Sequence, residues 1–141
     1  KEEIDHVNAY LAIEKARFAE RLQVTIKCDD AAMSALLPSF TLQPLVENAV
    51  KHGIAQRIEG GHLTLNVRCT TDNHIHILVE DNAGLYKPKK EQHAGLGMDI
   101  VDKRLIHQFG QQAGLVIECR TNQFTRMSFS IPHTHYHSHQ G

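Results

Sequence analysis

Three short segments of this 141-residue chain hold side chains that could do chemistry together. The first is LQPLVENAVKHG, residues 42–53. At helical spacing Leu45, Val46, Ala49 and Val50 form an apolar stripe, while Asn48, Lys51 and His52 share another face. A carboxamide, an ammonium and an imidazole there suit a Mg-polyphosphate, giving the metal an oxygen ligand and the phosphates donors. The same face also reads as the solvated side of an amphipathic helix, with Glu47 and Lys51 as an ordinary i,i+4 pair.

The second segment, ILVEDNAGLY (77–86), is a hydrophobic strand that ends in Glu80-Asp81-Asn82 and then turns on small residues. A carboxylate at the end of a buried strand can accept a hydrogen bond from an exocyclic amine such as that of adenine. A plain Asp-Asn turn would look the same. The third, HAGLGMDIVDKRLIHQFG (93–110), places Gly95, Leu96 and Gly97 ahead of a helix whose apolar positions are Met98, Val101, Leu105 and Phe109. Glycines there let backbone N–H groups approach phosphate oxygens at a helix N-terminus. Lys87, Lys89 and Lys90 could close over a triphosphate as a lid, or simply line a solvated loop.

The elements that must position these residues are legible from periodicity. Ile4, Val7, Leu11 and Phe18 predict an opening helix, with Glu2, Glu3 and Asp5 in the N-terminal turn where the dipole favours negative charge. LQVTIKC (22–28) alternates as a strand with Leu22, Val24, Ile26 and Cys28 on one face, and residues 29–40 read as loop. The Asn48 helix stops before Gly53, a plausible C-cap. HLTLNVRCT and HIHILVED are strands joined at Thr71-Asp72-Asn73; GLVIECR and FTRMSFSI form a hairpin about Thr121-Asn122-Gln123. Hairpins mixed with helices, without regular βαβ alternation, predict an α+β two-layer sandwich. Its sheet is mixed and mostly antiparallel, covered on one face by helices.

Composition narrows the function classes. The chain is 41% hydrophobic and 22% charged with a formal charge of -1, so no basic field draws it onto nucleic acid or anionic lipid. No apolar run approaches the roughly 20 residues that cross a bilayer. Cys28, Cys69 and Cys119 stand singly, which reads as small buried thiols in a reducing compartment. His133, His135, His137 and His139 alternate and could chelate a metal adventitiously at a disordered terminus.

In this order and spacing the three segments resemble the N box and the two glycine boxes of sensor histidine kinases, within the superfamily that includes gyrase and Hsp90. LQPLVENAVKHG, VEDNAG and GLGMDIVDKRL carry that likeness. With HVNAYLAIEKARF leading into RLQV, the wording is similar to the LytS-type, YehU/YpdA-like group, over about residues 3–132. The resemblance implies that Asn48 coordinates Mg²⁺ bridging the phosphates of ATP. It implies Lys51 and His52 near those phosphates, and Glu47 beside Asn48 at the reacting end. Asp81 would bind the adenine amine, with Asn82 next to it and Thr125 alongside on a late strand. Gly84, Gly95, Leu96 and Gly97 would shape the lid hinge and the phosphate cradle.

The first glycine box departs from the family's D-x-G-x-G, with Ala83 and Leu85 where glycines are usual, so a position needing positive φ would shift to Gly84. Phe124 replaces the glycine that usually precedes the threonine. The implied organisation is a helix at 1–20 leading from a dimerisation domain, an ATP-binding domain at 21–132 and a histidine-rich tail at 133–141. The family's acceptor segment, of the type N-P-H-F-L-F-N, does not occur among these residues. The phosphoacceptor histidine would therefore lie on a dimerisation domain outside this sequence, and His6 reads as an exposed or core-flanking residue. The resemblance further implies a homodimeric kinase of a bacterial inner membrane with this domain in the cytoplasm, contacting neither membrane nor nucleic acid directly. Its partner would be a response regulator of LytTR type. An anti-sigma-type serine kinase, or a nucleotide-binding interaction module with degenerate catalysis, is the alternative.

Overall fold

The computed structural model describes residues 2–33, 41–85 and 98–132. The expected lid lysines, Gly95, Leu96, Gly97 and the histidine-rich tail lie outside the described residues. The chain opens with α1 (Glu2–Phe18), whose Ile4, Val7 and Leu11 are buried while His6 is exposed. β1 (Leu22–Cys28) then pairs in parallel with β2 (Gly61–Cys69), Leu22 opposite Gly61 and Cys28 opposite Val67. Parallel neighbours cannot be joined by a tight turn. The crossover between them carries α2 (Asp30–Met33) and α3 (Leu42–His52).

The rest of the sheet is antiparallel. β2 pairs with β3 (His74–Asp81), β3 with β5 (Phe124–Pro132) and β5 with β4 (Val116–Arg120), in the order β1-β2-β3-β5-β4. Asn73 (φ 64) and Asn122 (φ 63) sit in the two hairpin turns, where an asparagine tolerates the left-handed region better than most residues. α4 (Met98–Phe109) lies between β3 and β4 in the chain, and its Asp102 Oδ1 accepts the N–H of Leu115 at 2.7 Å just before β4.

One face of the sheet makes the core. Leu63, Leu65 and Val67 of β2, Ile75, Ile77 and Val79 of β3, and Met127, Phe129 and Ile131 of β5 are buried there, together with apolar residues of α1, α3 and α4. The alternate positions of the same strands are half-buried and mostly polar: Thr64, Asn66, His76, Glu80, Arg126, Ser128 and Ser130. Period-two alternation of this kind marks an antiparallel sheet with one covered face. The predicted sandwich is the one observed.

Three sequence expectations change. Asp30–Met33, read as loop, is a single helical turn, too short to leave an apolar period. Among the cysteines only partial burial is found: Cys28 and Cys69 are half-buried and Cys119 is exposed, because β4 is an edge strand that meets solvent. Glu3 does not simply dress the α1 terminus. It is buried, and its Oε2 accepts the backbone N–H of Gln43 at 3.2 Å in the first turn of α3, satisfying a donor that a helix start leaves open.

α3 is the helix the site depends on, and Leu42, Leu45, Val46, Ala49 and Val50 seal it to the core. Leu45→Ala leaves a void under that helix and is expected to cost about 2–5 kcal/mol. Urea unfolding followed by circular dichroism, with an unchanged slope and a lower midpoint, checks this.

Candidate functional site

Asp81 is the last residue of β3, and it is only 3% exposed. Its register partners are Leu63 on β2 and Thr125 on β5. A carboxylate withdrawn from water needs donors. Oδ1 accepts the N–H groups of Ala83 at 2.8 Å and Gly84 at 3.1 Å, so the chain folds back around it as it leaves the strand. Burial pushes the Asp81 carboxyl above its ordinary range; the N–H groups of Gly84, Ala83 and Thr125 act against this, and neighbouring Glu80 adds to it. The group is thus a poorly hydrated acceptor to which a donor such as an amine can bind.

Gly53, which ends α3, abuts this carboxylate. A Cβ there would lie 2.6 Å from the carbonyl oxygen of Ala49 and 3.1 Å from Asp81 Oδ2. Its φ is −117, so the residue is not the left-handed cap that the sequence pattern predicted. Glycine is needed for lack of room, and the missing side chain leaves Oδ2 facing the end of the Asn48 helix. This role had no signal in sequence, because it arises from contact between residues distant along the chain.

Gly84 takes φ +67, and a Cβ on it would meet the Arg120 carbonyl oxygen at 2.3 Å. Its own carbonyl accepts the N–H of Asn122 at 3.0 Å, tying the turn to the β4–β5 hairpin. Ala83 is buried and has ordinary φ. The positive φ therefore sits at Gly84, as the altered glycine spacing predicted.

The structure brings together Asp81, Thr125, Gly84 and the C-terminal end of α3. Thr125 is buried beside Asp81, and its hydroxyl donates to Cys119 Sγ at 3.3 Å. Asn48 is buried on α3, whereas Lys51 and His52 are exposed in its last turn. Asn82 behaves differently from its neighbour. Its Oδ1 accepts the N–H of His62 at 2.8 Å and its carbonyl accepts Arg57 Nη1 at 2.8 Å, so its side chain braces the start of β2. Arg57, unmarked in sequence, is held in place by Glu59 at 2.6 Å.

Glu47 stands about 100° around the helix from Asn48. Rather than the i,i+4 pair with Lys51, it accepts from Gln43 Nε2 at 2.8 Å, and the backbone N–H of that Gln43 is held by Glu3 of α1. Among the described residues no group of three or more His, Cys, Asp or Glu could hold a metal by itself. That donor set does not argue against Mg²⁺, which commonly binds through one or two protein oxygens and completes its shell with phosphate and water.

Comparison with known proteins places these features in a family. Residues 33–135 match the family described as histidine kinase-, DNA gyrase B-, and HSP90-like ATPase. The sensor histidine kinase BtsS of Escherichia coli K12 is 47% identical over 131 residues, covering 93% of this chain and 23% of that protein. The sensor histidine kinase/phosphatase LytS of Staphylococcus aureus MRSA252 is 33% identical over 134 residues, covering 87% of this chain and 23% of its own. The chain thus spans about a quarter of the length of these curated relatives. In structure it is similar to the nucleotide-free catalytic domain of histidine kinase ThkA, with a TM-score of 0.67 at 18% identity over 94% of this chain and 93% of that one.

The raised Asp81 ionisation has a testable sign. Its stabilising contribution is fully present below the unfolded value of about 3.9 and is lost as pH rises through the higher folded value. Asp81→Asn keeps an acceptor for the Ala83 and Gly84 N–H groups and removes the ionisation. Calorimetry is expected to show a higher Tm than the parent at about pH 7, with no gain at about pH 3.

Proposed function

Because the chain belongs to the histidine kinase-, DNA gyrase B-, and HSP90-like ATPase family, we propose that it binds Mg-ATP and presents the γ-phosphoryl group to a histidine of a two-component sensor kinase. The observation that carries this is the buried Asp81 carboxylate. One oxygen is engaged by the Ala83 and Gly84 N–H groups, and the other faces a glycine at the end of the Asn48 helix. A carboxylate kept in the core at the mouth of a strand, with one oxygen not taken up by the turn, supports recognition of the adenine amine.

In this reading Asp81 fixes the base, with Thr125 alongside and Gly84 shaping the turn that gives way to the lid. Gly95, Leu96 and Gly97 form the phosphate cradle and hinge. Asn48 supplies the protein oxygen for Mg²⁺, and Lys51 and His52 lie at the phosphate end. Bound Mg²⁺ neutralises phosphate charge. Asn82 acts indirectly, through the β2 start that it braces. Glu47 belongs to the acceptor side, since it lies on the flank of α3 that packs against α1, the helix that leads from the phosphoacceptor segment. Transfer of this kind depends on positioning and charge neutralisation more than on covalent catalysis by the protein.

The positive φ at Gly84 keeps the turn despite Ala83 and Leu85, which supports nucleotide binding over a degenerate interaction module. The length and names of the curated relatives support a larger sensor kinase. We assign to it a homodimeric phosphotransfer domain, a bacterial inner-membrane location with this domain in the cytoplasm, and a response regulator of LytTR type.

Titration calorimetry with Mg²⁺ and a non-hydrolysable ATP analogue tests the site. Saturable binding is expected at or below millimolar nucleotide, weakened at least about tenfold by Asp81→Ala. Binding absent at millimolar nucleotide, or unchanged in Asp81→Ala, would rule the reading out.

A further inference from the structure

α1 holds α3 through a short chain of contacts. Glu3 Oε2 accepts the backbone N–H of Gln43 at 3.2 Å, and the side-chain amide of the same Gln43 donates to Glu47 Oε2 at 2.8 Å. Tyr10 lies on the same helix as Glu3. Its hydroxyl is buried with no hydrogen-bond partner among the described residues. Burial first, then the charges of Glu14 and Glu47, push its ionisation above the ordinary range.

An amide–carboxylate pair at i,i+4 is an ordinary helix contact taken alone. What distinguishes this one is its second anchor. The residue that restrains Glu47 is itself fixed by a buried carboxylate from another helix, 40 residues away in sequence. We propose that Gln43 is a positioning residue that aims Glu47 toward the incoming phosphoacceptor, and that α1 sets Gln43 through Glu3. The proposal rests on the acceptor-side reading of Glu47 given above.

A glutamate has three rotatable side-chain bonds, and a reacting group that strays by about 1 Å loses about a hundredfold in rate. Holding it from Gln43 removes that freedom. Asp81 takes its own hydrogen bonds from the turn after β3, outside the Glu3–Gln43–Glu47 contacts, so loss of the Gln43 side-chain bond frees Glu47 and leaves the Asp81 bonds in place. Loss of the Gln43 contact should therefore alter phosphoryl transfer and leave nucleotide affinity alone.

The test uses the longer kinase that contains the phosphoacceptor histidine, with Gln43→Met and Gln43→Lys. Both replacements are good helix formers of similar length, and only lysine retains a donor toward Glu47. Mg-ATP affinity is measured by calorimetry, and histidine phosphorylation by single-turnover assay. Gln43→Met is expected to slow transfer about tenfold or more with affinity within about twofold, and Gln43→Lys to stay within about threefold of the parent rate. Glu3→Ala should show the same split from the α1 side, and it tests the chain of contacts should a Gln43 variant fail to fold. Equal rates for the Met and Lys variants, or parallel losses of rate and affinity in a folded Gln43→Met, overturn the proposal. Failure of the underlying reading has a different signature: Glu47→Gln then transfers at the full rate whatever stands at position 43.

Discussion

The carboxylate of Asp81 has been taken out of water, and much of the local structure follows from the cost of doing so. Two backbone N–H groups, from Ala83 and Gly84, donate to it and offset part of that cost. For them to reach it, the chain must turn sharply at the end of β3. On the other side β5 lies in register, with Thr125 directly across from Asp81. The turn in turn needs a positive φ at Gly84, where the Arg120 carbonyl leaves no space for a side chain. A single buried charge thereby ties together the β3 end, the β4–β5 hairpin and the tip of α3 at Gly53.

α3 divides its surface among three tasks. Its apolar stripe is sealed to the sheet, one flank presents Asn48, and the other carries Gln43 and Glu47 against α1. This division explains why neighbouring residues in one motif have unlike surroundings. Consecutive positions on a helix point about 100° apart, so Glu47 and Asn48 cannot share a face.

Asn82 gives the clearest case of a residue whose type was informative and whose role was not. Adjacent to Asp81 in sequence, it reads as a second ligand. The chain leaves β3 there, and the Asn82 side chain accepts from the backbone of His62 instead. Arg57 holds the same turn from outside through the Asn82 carbonyl. The turn after β3 is thus braced from both sides before any nucleotide enters it.

Periodicity made the strands, the hairpin turns and the apolar stripes of α1, α3 and α4 legible, because each depends on residues within one or two turns of one another. Asn48 and Asp81 stood out by residue type and by place, on a polar helix face and at the end of an apolar strand, whereas Thr125 was marked only by the resemblance. Tertiary structure decided the rest. It set β1 parallel to β2, placed Glu3 at the start of α3 and packed Gly53 too close to Asp81 for a side chain. It also turned Glu47 toward α1. These depend on contacts between groups as far apart as 40 residues, and no local spacing encodes which distant group will fill a space or satisfy a donor.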